Sequence, residues 1–220
     1  MTTLLISGAS GLVGKIALWA ALDDPRVDRV LSLGRRPLPI QHPKLEQRVV
    51  DFATPLPALE PMDAALCALG TTIRAAGSQA AFRAVDHDAV LSFAAAARQA
   101  GAQRFAIVTS VGANAASGNF YLSVKGETER DLAALGFPCL VVLRPGLILG
   151  PRAARRPMER MAQIISPAID LLLQGPLRRY RSIAAQQVGH ALLQMALTAK
   201  ESVVLEHDAI KRAAENLPAT

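Results

Sequence analysis

Six short, mostly apolar runs punctuate the first two thirds of the chain: Leu4–Ser7, Val30–Leu33, Gln47–Val50, Ala64–Leu69, Arg104–Thr109 and Cys139–Leu143. Each predicts a strand. They lack the strict alternation of a sheet with one wet face, so both faces are expected to be covered. Segments with helical period lie between them, over about 12–22, 78–100 and 123–135. Strands alternating with helices through right-handed crossovers predict an α/β fold, a doubly wound parallel sheet with helices on both faces. After Pro151 the pattern changes: Arg- and Pro-rich sequence leads to predicted helices near 158–173 and 184–198 and a short strand at Ser202–Leu205. Residues 1–220 are read as one domain, with 151–198 forming most of a small C-terminal substrate cap.

The chain is 51% hydrophobic over 220 residues, enough for a sizeable core. Its longest late apolar stretch, 164–173, stops at Gln174-Gly175-Pro176, short of a membrane span. Met1-Thr2-Thr3 runs straight into the first strand without the basic leader and cleavage site of a signal peptide. Cys67 and Cys139 each sit in an apolar stretch and are not spaced as CxxC, which predicts buried, reduced thiols. Together these features predict a cytoplasmic protein without a membrane partner. The net charge of +6 comes from 24 basic against 18 acidic residues. Its Arg excess clusters at Arg152, Arg155, Arg156 and Arg160 and at Arg178, Arg179 and Arg181, yet the chain has only one Trp, two Tyr and six Phe. Nucleic acid is therefore not expected as a partner. His42, His87, His190 and His207 lack ligand spacing, so no metal is expected.

The strongest motif follows the first strand: Gly8-Ala9-Ser10-Gly11-Leu12-Val13-Gly14. In such a turn Gly8 permits the sharp change from strand to helix, Gly11 lets the backbone approach a pyrophosphate, and Gly14 lets the helix pack closely. The phosphates then meet the free N–H groups of the helix N-terminus. A triphosphate-cradling loop ending at Gly14-Lys15 would need Gly at 9 and Ser or Thr at 16, where the chain has Ala9 and Ile16. The second strand ends in Leu33-Gly34-Arg35-Arg36, where an NAD-selective site would carry an acidic residue. Guanidinium groups there suit a 2′-phosphate, so NADP(H) is expected over NAD(H), a solvated Arg pair being the alternative. Asp51 and Phe52, after the third strand, and Leu69, Gly70, Thr71 and Thr72, after the fourth, are candidate cofactor contacts because strand ends in such sheets line the crevice.

After the strand ending at Thr109 come Ser110 and then Tyr121-Leu122-Ser123-Val124-Lys125. A spacing of four puts Tyr121 and Lys125 on one helix face. A carbonyl that gains hydride needs a proton on its oxygen, and a phenol beside an ammonium can give and take one. Tyr121 is the candidate acid/base, Lys125 the group that stabilises its phenolate and bonds the nicotinamide ribose, and Ser110 the donor to the substrate oxygen, with Thr109 in reserve; Thr109, Tyr121 and Lys125 are also candidate cofactor contacts. A surface Tyr/Lys pair is the competing reading.

With Gly8/Gly11/Gly14, Tyr121/Lys125 and Leu143-Arg144-Pro145-Gly146 in this order, the chain resembles the short-chain dehydrogenase/reductases, nearer the extended branch that includes sugar-nucleotide epimerases. The segments Leu69–Thr72, Ala76-Gly77-Ser78, Phe82, Val85-Asp86, Val111–Asn114, Tyr121–Glu127 and Leu149–Arg152 are similar to an atypical subgroup typified by a Tat-interacting oxidoreductase-like tumour suppressor and small bacterial relatives. The resemblance implies an NAD(P)-binding Rossmann fold and oxidoreductase activity on a carbonyl or alcohol. It also implies that Gly146 and its neighbours Arg144 and Pro145 line the nicotinamide end, with the C-terminal region supplying substrate contacts. The 69 residues after Pro151 (152–220) are fewer than the substrate domain of the extended branch. Where that branch carries an Asp in the motif similar to Ser182–Val188, this chain has Gln187. Arg152 and Arg156 are candidates for binding an anionic small-molecule substrate, exposed helical Arg being the plainer reading. Two other functions stay open: a dinucleotide-binding regulator acting through a protein partner, and an epimerase holding NAD tightly. A monomer or homodimer is expected.

Overall fold

The computed structural model describes residues 2–150 and 173–216. Its elements in chain order are β1 (Thr2–Ser7), α1 (Leu12–Asp23), β2 (Val27–Gly34), β3 (Leu45–Val49), β4 (Ala64–Cys67), α2 (Ile73–Ala76), α3 (Gln79–Arg83), α4 (Ala89–Gln99), β5 (Arg104–Val108), α5 (Phe120–Ala134), β6 (Cys139–Leu143), β7 (Ile148–Leu149), β8 (Ile183–Ala184), α6 (Ala185–Thr198), β9 (Val203–Leu205) and α7 (His207–Glu215). A π-turn at Ala84–Asp88 joins α3 to α4, and a 3₁₀ turn spans Gly175–Tyr180.

Seven strands form one sheet in the order β3-β2-β1-β4-β5-β6-β9, every pairing parallel. The doubly wound Rossmann architecture is therefore present. Strand order reverses between β1 and β4, and the crevice outside their carboxyl ends is where such sheets hold ligands. β7 and β8 form a separate two-stranded parallel ribbon, which the sequence pattern did not predict.

The apolar runs do not alternate because each strand feeds two cores. Leu4 and Ile6 of β1 face Leu18, Leu22, Leu192 and Ile210 on the α1/α6/α7 side. Leu5, between them, faces Phe93 and Leu132 on the α4/α5 side. Each Leu so buried is worth about 1.5–3 kcal/mol against exposure. Phe93, Phe105 and Phe137 stack as a chain across the second core, with ring centroids 5.9 and 4.9 Å apart.

Three boundaries differ from the periodicity. The segment 78–100 is broken by the π-turn and preceded by α2, which starts at the Thr72 cap and ends at Gly77 with φ +87. α5 begins at Phe120 rather than 123, because the Asn119 side chain accepts the Leu122 N–H at 3.2 Å and caps it there. The segment read as a cap is divided. Residues 151–172, with the helix expected near 158–173, lie outside the described residues, whereas α6 packs against α1 under the sheet. A Cβ at Gly189 of α6 would stand 2.6 Å from Ile16 Cγ2, so glycine sets the closeness of that crossing.

Candidate functional site

The turn between β1 and α1 is shaped by two glycines pressed on backbone. Gly8 has φ +82, and a Cβ there would stand 2.3 Å from the carbonyl carbon of Ala68 at the end of β4. Gly14 packs on the turn itself, its Cβ position falling 2.2 Å from the Gly8 oxygen. Gly11 caps α1 with no side-chain hydrogen bond and donates its N–H to the Gly8 oxygen at 2.9 Å. Ser10 and Gly11 are exposed, Ala9 and Val13 are buried, and Leu12 is half-buried. With no acid in its first turn and no side-chain hydrogen bond at its cap, the α1 N-terminus fits an anionic pyrophosphate.

Around this turn the strand ends place the other candidates. Arg35 and Arg36 are exposed beyond β2 and make no hydrogen bond or ion pair among the described residues. Asp51 turns its carboxylate onto its own loop, accepting the Ala53 N–H at 3.0 Å, and Phe52 packs against the α4/α5 core. In the loop after β4, Gly70 is exposed, Thr72 caps α2 through the Ala75 N–H at 3.1 Å, and the Thr71 N–H bonds Asp86 Oδ2 at 2.8 Å.

Tyr121 lies in the first turn of α5, half-buried, with its ring 5.5 Å from that of Phe82. Its hydroxyl has no hydrogen-bond partner among the described residues. Ser110, also half-buried, has only a 3.4 Å contact to the Val111 oxygen. Lys125 is 5% exposed, and its Nζ lies 2.7 Å from Asp86 Oδ1. It is one tie in a seam that binds α5 to the π-turn. Thr128 donates to the Asp86 carbonyl at 3.0 Å, His87 meets Asp131 at 2.9 Å, and Arg83 pairs with Glu127 at 2.5 Å. Arg83 holds the Glu127 carboxyl below its ordinary range, and Arg130, then His87, bring Asp131 to about 2. Cys67, buried beneath this region, is a free thiol that burial pushes up to about 12. The loop 110–119 is pressed onto α5 as well: a Cβ on Gly126 would stand 2.1 Å from the Ala115 nitrogen.

Thr109 and Arg144, both expected at the cofactor, turn their polar groups to Glu129 instead. The Thr109 hydroxyl donates to Glu129 Oε1 at 2.6 Å. The Arg144 guanidinium bonds both carboxylate oxygens, which holds it more firmly protonated. Arg144 and Glu129 line an open cleft of about 560 Å³ between α5, β6 and β9. This network fixes the ends of β5 and β6 and so sets Ser110 beside Pro145, whose carbonyl accepts the Val111 N–H at 2.9 Å. Gly146 then passes under the 3₁₀ turn, its Cβ position 2.5 Å from the Arg181 oxygen. Arg152 and Arg156 lie outside the described residues. Asp86 and Gly126 fall in segments that carry the family resemblance, but their roles, like that of Glu129, were not read from the sequence because each acts on another element.

The glycine turn, Tyr121 and Lys125 thus share the carboxyl edge of one parallel sheet. Residues 35–170 match the HIM1 family model. The chain belongs to the HIM1 family. This HIM1-family protein is similar to FMP52 of Coccidioides immitis at 33% identity over 90% of this chain and 87% of the relative. It is 38% identical to HTATIP2 of Rattus norvegicus over 73% of this chain and 69% of that protein. The solved structure of MoeE5 in complex with UDP-glucose and NAD shares the fold, with a TM-score of 0.68 at 17% identity over 97% of this chain and 81% of the other. Human SDR39U1 with NADPH shares it too, at 0.60 and 20% identity over 92% and 72%. The expected cytoplasmic location does not stand, because FMP52 of C. immitis and its counterparts in Emericella nidulans and Aspergillus fumigatus are named mitochondrial. Buried free thiols at Cys67 and Cys139 do not separate one reducing compartment from another.

Proposed function

We propose that this HIM1-family chain is an NADP(H)-dependent oxidoreductase that interconverts a carbonyl compound and an alcohol, with Tyr121 as acid/base. The observation that carries the reading is the fixed, buried Lys125 one helical turn beyond a tyrosine whose hydroxyl is unengaged among the described residues, at the same sheet edge as the glycine turn. The turn and the α1 N-terminus hold the pyrophosphate, and Arg35 and Arg36 receive the 2′-phosphate. When bound, the nicotinamide supplies hydride to the carbonyl carbon or accepts it from the alcohol. Tyr121 gives its phenolic proton to the carbonyl oxygen in reduction and takes it back in oxidation. Ser110 donates to that same oxygen and orients it, and Lys125 stabilises the phenolate and bonds the nicotinamide ribose.

The fold shared with the UDP-Glc/GlcNAc 4-epimerase of Campylobacter jejuni, at a TM-score of 0.69 and 15% identity over 98% of this chain and 82% of the other, favours one second reading, an epimerase that retains its dinucleotide. A titration with NADPH and NADH followed by a carbonyl panel separates the two. Tight, reversible NADPH binding with net NADPH oxidation supports the oxidoreductase. Copurifying NAD with no net consumption supports the epimerase, and binding without turnover on any substrate points to a regulator. The names of the fungal relatives make mitochondria the compartment to test for this chain, by fractionation.

A further inference from the structure

Asp86 is buried without any exposed side-chain surface, in a π-turn that the helical pattern of 78–100 does not announce. The wider turn lets the consecutive side chains of Asp86 and His87 both bond α5, at Lys125 and Asp131. The Asp86 carboxylate serves two elements. Oδ2 accepts the Thr71 N–H at 2.8 Å, and Oδ1 lies 2.7 Å from Lys125 Nζ. The angle of that second contact is too poor for a hydrogen bond, which leaves Oδ1 a buried oxygen whose only partner among the described residues is the ammonium charge. Gly70 covers the pair, its Cβ position 3.4 Å from Oδ1 and 3.8 Å from Nζ.

We infer that Asp86 is a positioning residue that fixes the Lys125 ammonium and the loop 69–72 to one buried carboxylate. A lysine on a flexible four-carbon stem has many rotamers, and a buried ammonium keeps its charge only beside a partner. Asp86 meets both needs. It also ties the helix that carries Tyr121 to the loop expected against the cofactor, so the two are placed together. The inference rests on the reading of Lys125 as a ligand of the nicotinamide ribose.

The test is a double-mutant cycle read by NADPH titration of the purified full chain: wild type, Asp86→Asn, Lys125→Met and the double variant, each checked for folding by circular dichroism. Asp86→Asn keeps the shape and the acceptor for Thr71 but removes the charge. It is expected to weaken NADPH binding roughly tenfold, the size of one charged hydrogen bond, here that from a Lys125 no longer held in place to the nicotinamide ribose. In the Lys125→Met background the same change is expected to alter affinity less than about twofold, because Asp86 acts through that lysine. A merely structural Asp86 costs the same factor in both backgrounds, and that result overturns the inference, as does an Asp86→Asn protein with wild-type affinity. If Asp86→Asn does not fold, the double variant, which leaves no buried charge unpaired, is compared with Lys125→Met. Equal affinities support the inference, and a tenfold gap overturns it. A wild-type chain that binds no NADPH overturns the function proposed above instead.

Discussion

The glycine turn and the α5 seam hold the two halves of the candidate site by opposite means. The turn is backbone against backbone: Gly8 and Gly14 exclude side chains where α1 approaches β1 and the end of β4, within seven residues of sequence. The seam is held by side chains, joining residues 83–87 to residues 125–131 through three side-chain ion pairs and the Thr128 hydroxyl on the Asp86 carbonyl. A steric site fails when atoms are added and is indifferent to charge, whereas the seam fails when a charge is removed.

The largest effect is expected in the seam. Asp86→Asn or Lys125→Met alone leaves a buried charge unpaired and should cost about 3–5 kcal/mol of unfolding free energy, with the double variant costing less than either. Urea denaturation of the set checks this, and a double variant no more stable than the singles contradicts it. Next comes Gly8→Ala, which adds a methyl where φ is +82 and backbone lies 2.3 Å away. It should lose about 2–4 kcal/mol and NADPH binding with it, from strain and overpacking. Arg35→Ala with Arg36→Ala touches neither framework, so its stability should be unchanged while NADPH affinity falls roughly tenfold relative to NADH. A constant NADPH/NADH ratio removes the 2′-phosphate assignment.

The smallest effect is that of Asp131, whose side chain is 31% exposed. Arg130, then His87, lower its carboxyl from 3.8 to about 2, so its ionised form favours the fold above about pH 4 and that contribution disappears as the pH falls through 2. Asp131→Asn should therefore cost under about 1 kcal/mol at neutral pH, solvent screening being strong there, and only a small fraction of that at pH 2. Thermal melts at the two pH values compare them.

The contrast also explains what could be read from the chain. The turn was legible because its geometric demands fall on neighbouring residues, and the strands because their apolar runs reflect two buried faces. Tyr121 and Lys125 were legible as a spacing of four. Asp86 was not, since its partners Thr71 and Lys125 lie 15 and 39 residues away and the helical period runs through it without a break. Arg144 shows the reverse case. Its motif was visible, but the carboxylate that takes its guanidinium, Glu129, belongs to another element. The start of α5 carried a readable sign, the capping Asn119, that the apolar period alone overlooked.

The central claim is that Tyr121 performs the proton transfer at a dinucleotide site it does not itself build. The most direct measurement is NADPH oxidation by wild type and Tyr121→Phe with the best carbonyl of the panel, NADPH affinity being taken on the same samples. The account predicts a loss of turnover of roughly 10²-fold or more with affinity within about twofold of wild type. Equal turnover in the two proteins would contradict it and take the tyrosine out of the mechanism.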